Sequence, residues 1–363
     1  MRVGTFVLAA QFPGQGQGEA LHRAVRSATA AEEAGLDAVW LAEHHFVPYG
    51  TCPSAVTLAA YLLGRTRRIG VGTAVSVLPT AHPVALGEQA ALLHHTSAGR
   101  FTLGVGRGGP WVDLEVFGAG VEAYEEGYPE SLDLLLRWLR EGRVGADGPR
   151  YRFREVAVVP RPAEALAAAA DGPPVVVACT SEGSVRLAAR RGLPMLLGMH
   201  CGDDEKARLT ALWRREALAA GWAAATVETR AAEHVSAGVV QVGPSRAEAA
   251  EVLLKAMPGW LRQGLAAHVT VDGRHRAMRD PVAYTELLCG LHPVGPPELC
   301  AERLARTSER TGIQRFALLA EGSGDLAATE ANVHRLGAEV LPLLGTGAGD
   351  GASTACASGD SPC

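Results

Sequence analysis

What most constrains this chain is an alternation, sustained almost from end to end, between short β-type apolar runs and longer amphipathic helical stretches. Eight strand candidates can be marked: Arg2–Leu8, Ala38–Ala42, Ile69–Val77, Phe101–Gly106, Val175–Cys179, Pro194–Met199, Val235–Val242 and Gln314–Leu319. Helical patterning fills the intervals around residues 19–34, 53–66, 82–96, 123–141, 182–191, 203–220, 244–256 and 297–311, and a last helix at 324–344 follows the final strand. Parallel neighbours require a crossover, usually a helix, so this order implies a parallel sheet covered by helices. Eight such units predict a closed (β/α)8 TIM barrel rather than an open doubly wound sheet, with the reactive groups at the carboxyl ends of the strands.

Two stretches interrupt the alternation. Residues 142–172, with Pro160, Pro162 and an alanine-rich run, read as an insertion before the fifth strand. Residues 259–293 lack a strong period and carry Gly273, Arg274, His275 and Arg276, so they read as a long loop, with an active-site lid and a surface excursion both open. The barrel domain is expected over residues 1–344, and the small, glycine-rich segment 345–363 as a flexible tail.

Bulk properties narrow the partners. A formal charge of -5 argues against nucleic acid or an anionic membrane, which leaves a small-molecule ligand. The first apolar run is too short and too β-branched for a secretory or membrane-spanning segment. Seven cysteines without C-x-x-C spacing suggest neither a zinc site nor a disulfide framework, and a reducing cytoplasm fits them.

The strand ends carry the chemistry. The run Val39-Trp40-Leu41-Ala42-Glu43-His44-His45-Phe46 delivers two histidines to the working face, and imidazole is the side chain that trades protons near neutrality. Strand four enters Gly104-Val105-Gly106-Arg107-Gly108-Gly109, a formal G-x-G-x-x-G match. It lies in the fourth unit, and Pro110-Trp111 stands where a phosphate-binding helix would start, so the dinucleotide reading is disfavoured. Backbone room for a flat ligand, with Arg107 as an anion clamp, explains it better. Strand five ends in Cys179-Thr180-Ser181-Glu182-Gly183-Ser184, and its hydroxyls at a helix start serve either as a cap or as a phosphate cradle. Beside Arg107 they point to a phosphorylated cofactor such as a flavin mononucleotide. His82 before Pro83 reads as a loop residue ahead of a helix and is assigned no chemistry.

The stretches VWLAEHHF, VGTAVSVLPTAHPV, GRFTLGVGRG, DLEVFG, RGLPMLLG and HPVGPPELC, in this order, resemble the luciferase-like monooxygenase family, most closely the bacterial luciferase α-subunit. The resemblance implies a barrel that binds reduced FMN (FMNH2), reacts it with dioxygen and oxygenates a substrate through a 4a-hydroperoxyflavin. By the match His44 is the catalytic histidine, with Glu43 and His45 orienting it. Gly106, Arg107, Thr180, Ser181 and Ser184 fall on flavin-contact positions. Ala74-Val75 matches the site of a non-prolyl cis peptide under the flavin ring, and Asp113 a position near the flavin loop. A separate flavin reductase and a homodimer, with the helices after strands two and three at the interface, are also implied; no metal is expected.

Departures limit the carry-over. Gly106 stands where the luciferase α-subunit has a reactive cysteine, Thr180 replaces a glutamate and Met199 replaces a tryptophan. These changes speak against a thiol role and against long-chain aldehyde oxidation with light emission. High alanine, glycine and arginine content resembles proteins of GC-rich bacteria, where such enzymes often tailor secondary metabolites. A deazaflavin-dependent oxidoreductase on the same fold, or a non-catalytic flavin-binding subunit, remains the alternative.

Overall fold

The computed structural model describes residues 1–161, 172–274 and 279–345. Eight parallel strands close on themselves: β1 Arg2–Val7, β2 Ala38–Leu41, β3 Gly70–Thr73, β4 Phe101–Gly106, β5 Val175–Cys179, β6 Met195–Leu197, β7 Val235–Val239 and β8 Arg315–Leu319. Closure is made by β1 against β8, with Gly4 opposite Ala317 and Phe6 opposite Leu319. The expected (β/α)8 barrel is therefore the fold. Helices α1 Gln17–Glu33, α2 Ala55–Arg65, α3 Pro83–Thr96, α4 Tyr128–Arg140, α5 Glu182–Arg190, α6 Asp203–Ala219, α7 Pro297–Thr311 and α8 Leu326–Arg335 surround it.

Both strand faces are buried, so the strands read as near-continuous apolar runs instead of alternating ones. Outward residues such as Val39, Leu41, Val71, Leu103 and Val177 meet the helices. Inward residues such as Phe6, Trp40, Val176, Ala237 and Ala317 fill the barrel. Gly72 is required here: a Cβ on it would lie 2.6 Å from the Trp40 ring, so β3 yields the space that β2's indole occupies. At the carboxyl end of β1, Leu8 N donates to Glu321 Oε1 at 2.7 Å, and buried Arg23 approaches the other carboxylate oxygen at 3.6 Å. This pair locks β1 to the segment after β8.

Several boundaries differ from expectation. The third strand breaks at a cis Ala74–Val75 bond, after which Ser76–Val77 pairs with the end of β4. The insertion after α4 contains an antiparallel hairpin of Arg143–Asp147 and Arg152–Ala157; residues 162–171, with Pro162 and the alanine run, lie outside the described residues. Residues 259–293 are not one long loop. A helix spans Arg246–Ala266 without stopping at Pro258, and a second spans Pro281–Leu291 against it. Proline disfavours a helix interior, but Pro258, Trp260, Leu261 and Gly264 are all buried, and packing outweighs local propensity. His275 and Arg276, like the tail 346–363, lie outside the described residues.

Two histidines bear on stability. His234 accepts from Met195 N at 3.0 Å, and His292 Nε2 lies 2.6 Å from Met199 O. Burial pushes each down to about 3 from the usual 6.5, so both are neutral when folded. The unfolded chain binds protons that the folded one refuses, so the contribution is complete above the unfolded pKa and is lost as pH falls below it. The melting temperature is expected to drop by roughly 3–4 °C per pH unit below that point, measured by calorimetry.

Candidate active site at the carboxyl ends of the strands

A cavity of about 720 Å³ opens at the carboxyl ends of the strands. The segment after β2 contributes Glu43, His44, His45 and Tyr49, and the broken third strand contributes Ala74, Val75 and Val77. Trp111 and Asp113 follow β4, the segment between the helices Arg246–Ala266 and Pro281–Leu291 adds His268 and Arg279, and the second of those helices adds Tyr284.

His44 is held on the backbone side by its own N–H, which donates to Cys52 O at 2.9 Å, and on the ring side by Tyr49, edge-on at 5.0 Å. Tyr49 in turn stacks on Trp260 at 4.9 Å, whose indole N–H donates to Tyr49 O at 3.0 Å. Burial, then the neighbouring His268 and His45, push His44 down to about 3. Glu43 takes two backbone donors, Val77 N and Ala55 N, both at 3.0 Å, and so ties the broken strand to the start of α2. His45 Nε2 lies 3.7 Å from Glu43 Oε1 and packs its ring edge-on to Phe117 at 4.9 Å. Neither Glu43 nor His45 has a described hydrogen bond to His44.

Asp113 is buried, with Leu114 N donating to Oδ1 at 3.1 Å. Burial raises its pKa, and His45 and His268 oppose the rise. The glycine run after β4 leaves the space expected of it: a Cβ on Gly106 would lie 2.5 Å from Val75 Cγ2, and one on Gly109 would strike the Trp111 indole.

Arg107 and the α5 start lie outside the lining of this cavity. The Arg107 guanidinium rests 4.2 Å over the Tyr124 ring and has no carboxylate partner among the described residues. Ser181 caps α5 reciprocally with Ser184: Ser184 N donates to Ser181 Oγ at 3.3 Å, and Ser181 N to Ser184 Oγ at 3.1 Å. Thr180 N also donates to Ser184 Oγ at 3.2 Å, so both expectations for these hydroxyls begin from an ordinary cap. The Tyr128 hydroxyl is buried without a partner; burial and then Cys179 raise its pKa, and Arg191 and Arg107 oppose the rise. An unsatisfied buried donor under the electrostatic influence of Arg107 fits a site for an anionic group.

Sequence reasoning missed Tyr49, Trp111, His268 and Arg279. The first two adjoin motifs it did read; the last two lie in the stretch taken for a loop.

A closed parallel barrel whose strand ends converge on a histidine-lined cavity defines an enzyme with its chemistry at the carboxyl face. The luciferase-like monooxygenase family model matches residues 1–315, and the chain belongs to that family of flavin-dependent monooxygenases. An alkanal monooxygenase alpha chain of Photorhabdus luminescens is 30% identical over 361 residues, covering 95% of this chain and 98% of the relative. Among solved structures, monooxygenase RslO1 from Streptomyces bottropensis superposes with a TM-score of 0.79 at 22% identity, over 94% of this chain and 99% of that one. The oxygenating constituent of 3,6-diketocamphane monooxygenase from Pseudomonas putida, in complex with FMN, gives 0.73 at 21%, over 95% and 98%. An F420-dependent secondary alcohol dehydrogenase gives 0.71 at 17%, over 94% and 98%, so the fold by itself does not select the cofactor.

Proposed function

We propose that this protein is a two-component, FMN-dependent monooxygenase that oxygenates a small organic molecule with dioxygen, taking reduced FMN from a separate flavin reductase. The observation that carries this reading is the juxtaposition just described: a neutral histidine in a cavity of about 720 Å³, walled by Ala74 and Val75, beside a glycine run that leads to Arg107. Bound FMNH2 would supply two electrons and the centre at which dioxygen reacts. Arg107 and the α5 start, with Thr180, Ser181 and Ser184, would hold its phosphate; Ala74, Val75 and Gly106 would face its ring. His44 Nε2 would hold or deliver a proton at the reacting oxygen, and Trp111 and Tyr49 would exclude water. Glu43, His45 and Asp113 shape the wall.

Anaerobic titration with photoreduced FMN, followed by mixing with air, tests the reading. Saturable binding and an oxygen-dependent absorbance transient distinct from oxidised flavin are expected; absence of both would sink it. Parallel titration with reduced F420 decides against the deazaflavin alternative if FMNH2 binds more tightly. The Arg107→Ala variant should bind FMN about tenfold to a hundredfold more weakly while losing little affinity for riboflavin, because a charge-assisted phosphate contact is removed. Fluorescence titration with both flavins reads the difference.

A homodimer is supported by Tyr61 and Leu92, which stand 51% and 54% exposed on α2 and α3, the helices expected at the interface. Sedimentation velocity should return twice the chain mass. The five described cysteines, all buried free thiols, support a cytoplasmic setting. Composition supports a tailoring role in secondary metabolism.

A further inference from the structure

His44 and His268 offer opposite hydrogen-bonding character to one cavity. His268 Nδ1 lies 3.0 Å from the carbonyl oxygen of Gly264. A carbonyl only accepts, so Nδ1 carries the proton and Nε2 keeps its lone pair. The ring is fixed between Trp111, at 4.8 Å, and Tyr49, at 5.9 Å, and lines the cavity with no described partner on Nε2. His44 is the reverse case. Its Nδ1 is buried without a partner, closed off by Gly50, on which a Cβ would lie 2.7 Å away. A buried N–H without an acceptor is rarer and costlier than a bare lone pair, which places the proton on Nε2. His44 therefore donates where His268 accepts, and both rings contact Tyr49 and line the same cavity.

We infer that the cavity takes a substrate bearing an acidic hydroxyl on an aromatic or enolic carbon, and that His268 Nε2 removes its proton. The substrate O–H bond breaks, an N–H bond forms at Nε2, and the electron pair stays on the substrate oxygen as an aryl oxide or enolate. Burial lowers the His268 pKa from the ordinary histidine value, and Asp113, which lines the same cavity, opposes that shift and favours the imidazolium electrostatically. Among the described residues, the titratable groups that share the cavity with His268 include Tyr49, His44 and His45 from the segment after β2, Asp113 from that after β4, and Arg279 and Tyr284; Arg274, on its own segment, pairs with Glu125 at 3.6 Å. Tyr49, Trp111 and Tyr284 supply aromatic walls. An oxyanion enriches the adjacent carbons in electrons, which suits them to receive oxygen; for that later oxidation alone the assignment rests on the flavin reading. An aliphatic aldehyde has no such hydroxyl and would leave Nε2 idle.

The test uses full-length protein and 4-nitrophenol, whose anion is yellow and whose neutral form is not, at a pH below the probe's own pKa. Binding to wild type is expected to raise the yellow band, with and without saturating FMN, read as difference spectra. The band should fall about tenfold or more in His268→Asn, which can keep a donor to Gly264 O but has no basic nitrogen. 4-Nitroanisole, which has no proton to give, should bind about tenfold more weakly than 4-nitrophenol. His268→Gln, equally non-basic, repeats the comparison should the asparagine variant melt early. A wild type without the yellow band, or a band unchanged in the variants, overturns the assignment. Failure of reduced FMN to bind would remove the flavin reading and leave this result standing.

Discussion

Replacing His44 with alanine is expected to lower product formation by about 10²–10⁴-fold while leaving the affinity for reduced FMN nearly unchanged. The asymmetry follows from where the side chain sits. His44 lines the cavity, whereas Arg107 and the capped start of α5, the groups suited to an anion, lie apart from it. Loss of the imidazole should therefore remove proton handling and spare most of the binding. His44→Gln separates two forms of that role. A glutamine amide can still donate where Nε2–H does, so partial recovery would mean that His44 acts by hydrogen bonding; activity as low as in alanine would mean that it transfers the proton. With its pKa near 3, His44 stays neutral through the neutral range, and the free enzyme should show no acid limb near the ordinary histidine value that disappears in His44→Ala. Single-turnover mixing with reduced FMN, with product and hydrogen peroxide both measured, reads all three. Equal turnover by wild type and His44→Ala would show that His44 is not the catalytic histidine, and absence of product from both would return the chain to a non-catalytic flavin-binding subunit.

The barrel was legible because burial on both faces writes a strand as an uninterrupted apolar run, and a run such as Val175–Cys179 between Pro174 and a hydroxyl cluster leaves little choice of period. Glu43, His44 and His45 are legible at the end of such a run, whereas Ala74, Val75 and Asp113 come from the family resemblance, and the structure brings all six to one cavity. The pair of helices at Arg246–Ala266 and Pro281–Leu291 was half missed for the opposite reason. Their apolar residues face a neighbour contributed by distant sequence: Trp260 stacks on Tyr49 and packs against Phe12, contacts that no local window contains. His268 was lost with them. Its meaning depends on Gly264 O fixing one nitrogen and on Tyr49 and Trp111 fixing the ring, which are facts of tertiary structure.

Introducing a cysteine at position 106 should destabilise this protein by about 1–3 kcal/mol and weaken flavin binding. The reason is steric. A Cβ at Gly106 would lie 2.5 Å from Val75 Cγ2 and 3.3 Å from Ala178 Cβ, and neither neighbour has a flexible end to withdraw. Val75 is β-branched and stands in the short link between β3 and Ser76–Val77, whose pairing with the end of β4 restricts any shift. Displacing it would push into the cavity wall where the flavin ring is proposed to lie. The clash predicts its own remedy. Val75→Ala removes the offending methyl groups, so the Gly106→Cys/Val75→Ala double variant should regain stability relative to Gly106→Cys alone. The coupling between the two sites should be about 1–2 kcal/mol, within the range for residues in contact. Thermal unfolding of the four proteins in the cycle gives the coupling, and FMN titration shows whether binding returns with it. Additive effects would mean that the barrel relaxes around the cysteine without Val75, and the glycine would then owe its place to something other than this contact.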